Sequence, residues 1–203
     1  MTNEIFDAAS AQGALWAVVL GAILATLGGF AATQLESFVE HRRRERNAAL
    51  FFGELLFTLQ VILHFVNDTH GRGDPFGPIT IRMLKSARKE IDIFDRNRES
   101  VFDLRDADLR ARLQTLIIRM TMPIEGVFEA TNEVNEMLAQ LKGATESEMR
   151  AELEERIADV RGQRDRGYDF IMEVAGELPQ VVRDLEPLAR HSFRNFDDVV
   201  KNF

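Results

Sequence analysis

No charged residue lies between Asp7 and Glu36, and within that window Ala14–Ala32 (ALWAVVLGAILATLGGFAA) is almost wholly apolar. A helix of about 20 apolar residues crosses a hydrocarbon core of about 30 Å. A buried helix in a soluble domain keeps some polar face over that distance. The stretch is therefore expected to be a transmembrane helix over residues 14–35, preceded by a short extracytoplasmic N-terminus, 1–13. Trp16 stands near its first end, at the depth where Trp prefers the membrane interface. A cleaved signal peptide is disfavoured, because its first segment should be basic. Here that segment reads MTNEIFDAAS and carries only acids besides the terminal amine.

Orientation follows from the basic run just past the span. Arg42, Arg43, Arg44 and Arg46 lie within a few residues of the membrane exit. Positive charge flanking a span stays on the cytoplasmic side, so the N-terminus is expected outside and the rest of the chain in the cytoplasm. No residue between Phe30 and Gly53 should break a helix, so residues 36–49 are expected to continue the span as a basic juxtamembrane helix. Its four arginines would sit at headgroup level and attract anionic lipid, at about 1 kcal/mol per basic residue.

Within the span, Ala17, Gly21, Ala25, Gly29 and Thr33 recur every four residues. Small side chains at that spacing let two helix backbones approach closely in lipid, where packing drives association. The expected partners are lipids together with a second copy of the chain or the helix of another membrane protein.

Residues 50–203 are expected to form an all-α cytoplasmic domain, an antiparallel helical bundle. In Leu50–Val66, Phe52, Leu55, Leu59, Ile62 and Val66 follow steps of three and four, a heptad-like seam. Phe57, Val61 and Phe65 occupy another side, which suits a helix central to a bundle. A second span is the alternative reading of this stretch. It is short for that role, contains Glu54, Gln60 and His64, and would place the arginine run outside.

Gly71–Pro78 (GRGDPFGP) reads as a loop. Its Arg72-Gly73-Asp74 resembles an integrin-binding tripeptide, a chance occurrence on a cytoplasmic loop. A helix is expected over Ile79–Arg98, with Ile81, Leu84, Ala87, Ile91 and Phe94 on one face. After a break at Ser100–Asp106, a long helix should run to Lys142 and be kinked at Pro123, which removes one backbone hydrogen bond. Thr145 and Glu148 have capping-box spacing for the next helix. That helix is highly charged to about Arg166 and regains apolar character at Tyr168, Phe170, Ile171 and Val174. Pro179 marks a further break, and the tail is helical by pattern, with Phe193, Phe196 and Val200 available to pack.

The chain holds no cysteine, which removes disulfides, thiolate metal sites and cysteine nucleophiles together. Net charge is -8, and the part beyond the arginine run is acidic, which disfavours nucleic acid as a partner. The four histidines, His41, His64, His70 and His191, show neither the spacing of a helical zinc site nor a Glu-x-x-His pair. A polar group of Glu54, Gln60 and His64 is read as setting register inside the bundle. Glu125, Glu129, Glu133 and Glu136 form an acidic ridge, read as a solvated face rather than a cation site. Phosphate-loop, dinucleotide and nucleophile-elbow motifs are missing. No catalytic residue, metal or cofactor is expected.

The expected function is that of a non-enzymatic, membrane-anchored interaction or scaffold protein. The alternatives are an accessory subunit of a larger membrane complex and a homo-oligomeric sensor or gate. Abundant arginine without cysteine suits a bacterial inner membrane.

Overall fold

The computed structural model describes residues 2–145 and 147–193, with side chains from Thr33 onward and those of residues 21, 24–26 and 28–30. Among these residues the chain is helical and contains no strand. Its elements are α1 (Thr2–His70), α2 (Pro78–Arg96), a 3-10 turn (Arg98–Asp103), α3 (Ala107–Gly143), α4 (Ser147–Ala175) and α5 (Leu178–Ala189). The chain divides into two units, Met1–Arg44 and Glu45–Phe203.

In the first unit α1 is a helix whose described apolar side chains face outward. Leu24, Phe30, Leu35 and Val39 are each more than half exposed. Among the described residues one helix, Leu24–His70, is long and apolar enough to cross a membrane. A soluble core helix or a signal sequence shares that property, and 44% of its most apolar stretch is buried inside the protein.

In the second unit one apolar core takes residues from every helix. Phe52, Leu56, Leu59 and Val66 of α1 meet Leu84, Ala87, Ile91 and Phe94 of α2. They also meet Leu113, Met120 and Ile124 of α3, Ile171 and Val174 of α4, and Leu185 of α5. A fully buried side chain of this size contributes about 1.5–3 kcal/mol. The spacing of α2 explains its docking, since Leu84, Ala87, Ile91 and Phe94 fall on one helical stripe. Thr80, not Ile81, is the buried residue of its first turn, because the Thr80 hydroxyl donates to the Thr69 hydroxyl at 3.3 Å while Ile81 is only partly covered.

α1 and α2 run in opposite directions. Phe52 packs on Phe94 with ring centroids 5.2 Å apart, and Thr69 meets Thr80 at the other end. The turn between them contains Gly73 at φ 145, a conformation open to glycine alone without strain. α3 and α4 likewise oppose each other, with Arg156 bonded to Glu133 at 2.9 Å and Arg119 to Glu177 at 2.7 Å. Beyond the main core these two helices alone hold a satellite cluster of Val134, Met137, Ile157 and Val160.

α3 begins at a conventional N-cap, the Asp106 carboxylate accepting from the amides of Asp108 and Leu109. It continues through Pro123 to Gly143. The capping pair expected for α4 flanks residue 146, which lies outside the described residues. The final helix departs from the sequence pattern by ending at Ala189, where Arg190 adopts a left-handed conformation (φ 51, ψ 38). The Glu186 carboxylate then accepts from the Phe193 amide at 3.0 Å and turns the chain back. Phe193 is consequently buried, its ring lying where a Cβ on residue 53 would stand. Phe196 and Val200 lie outside the described residues.

Candidate functional site

The small-residue positions of α1 are open. Gly21, Ala25, Gly29 and Thr33 are exposed, and a Cβ added at Gly21 or Gly29 would meet nothing within 4 Å. The Thr33 hydroxyl donates back to the Gly29 carbonyl at 3.0 Å, which satisfies it within the helix. The Ala17 side chain lies outside the described residues.

The arginine run is divided in use. Arg44 forms an ion pair with Glu40, one helical turn earlier, and this hydrogen bond holds the Glu40 carboxyl below the usual carboxylate range. The Arg42 guanidinium lies over the Phe38 ring, 4.5 Å from its centroid. In the second unit, Arg46 Nε donates to the Ala189 carbonyl at 3.3 Å, so it caps the end of α5. Glu45 accepts from the Arg105 amide at 3.1 Å. Arg44 and Arg46 therefore have protein partners, while Arg42 rests on an aromatic face.

Of the seam, Phe52, Leu55, Leu59 and Val66 are buried, and Ile62 packs against the core while partly exposed. Phe57, Val61 and Phe65 are half-buried. Glu54 is exposed and Gln60 and His64 are half-buried, so the three do not form the interior polar group read from their spacing. At about 100° per residue Glu54 stands about 120° from Gln60 around the helix, so the three share no single face. The acidic ridge of α3 is partly neutralised, with Glu125 bonded to Arg88 and Glu133 to Arg156. Among the described residues no group of three or more His, Asp or Glu side chains is placed to hold a metal ion.

Tertiary packing also builds a cluster that sequence reasoning missed. His70 at the end of α1 stacks on Tyr168 of α4, with centroids 3.8 Å apart and planes 9° from parallel. Phe76 from the turn meets both rings edge-on. The Tyr168 hydroxyl donates to Asn67 Oδ1 at 3.2 Å, and burial pushes its pKa up to about 12. Arg164 lays its guanidinium 3.7 Å from the Phe76 centroid. Its Nε is buried without a hydrogen-bond partner, and burial lowers its pKa. His70, Phe76, Arg164 and Tyr168, with Pro75, Asp165 and Asp169, line an open cleft of about 270 Å³. Chemically the cluster is a clamp: aromatic stacking and a cation on a ring fasten α1, the turn and α4 together. No pattern of spacing announces it, because its members come from three separate elements.

In comparisons with known proteins, no family model, curated protein or solved structure matches the chain.

Proposed function

We propose that the chain is a membrane-anchored, non-enzymatic helical scaffold that associates with itself or holds a partner at the cytoplasmic face of a bacterial inner membrane. The observation that carries this reading is the outward-facing apolar surface of α1 in the first unit. Leu24, Phe30 and Leu35, within the charge-free stretch between Asp7 and Glu36, and Val39 just beyond it expose large apolar side chains there. Water does not favour such a surface, and a lipid environment does.

In this reading residues 14–35 span the bilayer, the N-terminus lies outside, and residues beyond the basic run form an antiparallel helical bundle in the cytoplasm. The exposed small residues Gly21, Ala25 and Gly29 are the contact by which the span meets another helix. The burial of Phe52, Leu55, Leu59 and Val66 within their own chain leaves the span, rather than the seam, as the surface for assembly.

The test is purification of the full-length protein from membranes in mild detergent, with mass determination, alongside the Gly21→Leu/Gly29→Leu variant. A homo-oligomer that the variant dissociates supports the scaffold. A stoichiometric larger partner lost in the variant makes the protein an accessory subunit instead. Recovery of the protein in the soluble fraction without detergent refutes the anchor.

A further inference from the structure

We infer that one face of the helix leaving the span, formed by Leu35, Phe38, Val39, Arg42 and Arg43, docks on an anionic phospholipid leaflet, with the two arginines holding lipid phosphates. The inference rests on the membrane reading above and narrows it to a surface and a class of lipid. At about 100° per residue these five positions fall within about 140° of the helix circumference. Ser37, Glu40, His41 and Arg44 occupy the opposite side. There the His41 ring is hydrogen-bonded to the Ser37 carbonyl, and Glu40 and Arg44 neutralise each other.

The five residues thus make an amphipathic face graded along the axis, apolar first and cationic one turn later. Leu35 is 65% exposed and Val39 58%, so the apolar part is open to a bilayer. Side chains on a helix lean toward its N-terminus. The contact of Arg42 with Phe38 shows that lean, which carries the guanidinium toward the apolar residues and so toward the headgroup layer. The ion pairs Arg44–Glu40 and Arg105–Glu45 of this stretch use neither Arg42 nor Arg43. Arg46 shares their side of the helix but is bonded to the Ala189 carbonyl. Two cations outside those ion pairs, Arg42 on the Phe38 ring and Arg43 with a coulombic pull on Glu40, are therefore available to phosphate through their charge.

The chain has no cysteine, so single labels are clean. The full-length protein carrying Val39→Cys or Ser37→Cys is labelled with bimane and reconstituted in vesicles containing brominated phosphatidylglycerol or brominated phosphatidylcholine. The Val39 label is expected to be quenched more strongly than the Ser37 label. Phosphatidylglycerol should be preferred there by about five-fold for each arginine, up to about 30-fold for the pair at low salt, and less as salt rises. Arg42→Gln/Arg43→Gln should abolish the preference, Arg42→Lys/Arg43→Lys should retain most of it, and Arg46→Gln should leave it intact. Equal quenching at both labels, or a preference indifferent to Arg42 and Arg43, overturns the inference while leaving the anchor standing. Failure of the unlabelled protein to float with either vesicle overturns the anchor as well.

Discussion

Replacing Gly53 by alanine should destabilise the second unit, although alanine is the better helix former by about 1 kcal/mol. A methyl group at this position would stand 2.0 Å from Cζ of Phe193 and 2.4 and 2.7 Å from its two Cε atoms. No van der Waals contact is that short, so the ring must leave its site on α1. Phe193 is 8% exposed in place, and burial of such a side chain contributes about 1.5–3 kcal/mol. The clashing atoms are the far end of a side chain, so a shift of the ring recovers part of that burial, which favours the lower half of that range. Subtracting the helix-propensity gain leaves a net loss of about 1 kcal/mol. With a urea dependence of about 2 kcal/mol per molar, the unfolding midpoint should fall by about 0.5 M.

The decisive assay is a double-mutant cycle on the full-length protein in detergent, followed by far-ultraviolet circular dichroism. Phe193→Ala alone should destabilise. Adding Gly53→Ala to that variant should then stabilise by about 1 kcal/mol, because the methyl meets empty space and only the propensity effect remains. A sign that reverses between the two backgrounds is the signature of a ring seated on the glycine. If Gly53→Ala raises stability equally in both, Phe193 does not occupy that site and the account of the chain's return onto α1 is wrong.

Two further predictions follow from local features. Arg190 holds a left-handed conformation at the C-terminal end of α5, where glycine is unstrained. Arg190→Gly should therefore raise stability by about 0.5–1 kcal/mol in the same urea titration, and a loss would show that the arginine side chain matters more than its backbone. Burial holds the pKa of His70 below the ordinary histidine value, against the opposing pull of Asp165 and Asp169 and with help from Arg164. A folded value below the unfolded one gives a contribution that is complete above about pH 6.5 and lost as the pH falls, since the unfolded chain binds the proton more readily. Lowering the pH from about 7.5 to about 5.5 should thus reduce the melting temperature more in the wild-type protein than in His70→Gln. Equal reductions would exclude the His70 stack as the source.

The sequence alone was sufficient to establish that the chain is helical and which faces of its helices are apolar. Leu84, Ala87, Ile91 and Phe94 are buried where their three- and four-residue spacing puts them, and so are Phe52, Leu55, Leu59 and Val66. Helical periodicity is local: each residue's side of the helix depends only on its offset from its neighbours. The charge-free stretch after Asp7 and the basic run from Arg42 are equally local, and both were visible before any coordinate.

Partnership between helices is not local, and only the tertiary structure decided it. The four arginines of the run look alike in sequence, yet Arg46 is claimed by a carbonyl 143 residues away, while Arg44 is claimed by Glu40 within its own helix. Tyr168 finds Asn67 across 101 residues and stacks on His70, at positions that no spacing rule connects. Gly53 reads as an ordinary helix-weakening residue until Phe193 is placed against it. In each case but the Arg44–Glu40 pair, which lies one turn apart in one helix, an interaction of about 1 kcal/mol depends on two elements meeting at a particular register. The burial of the whole core sets that register, and no single stretch of sequence carries it.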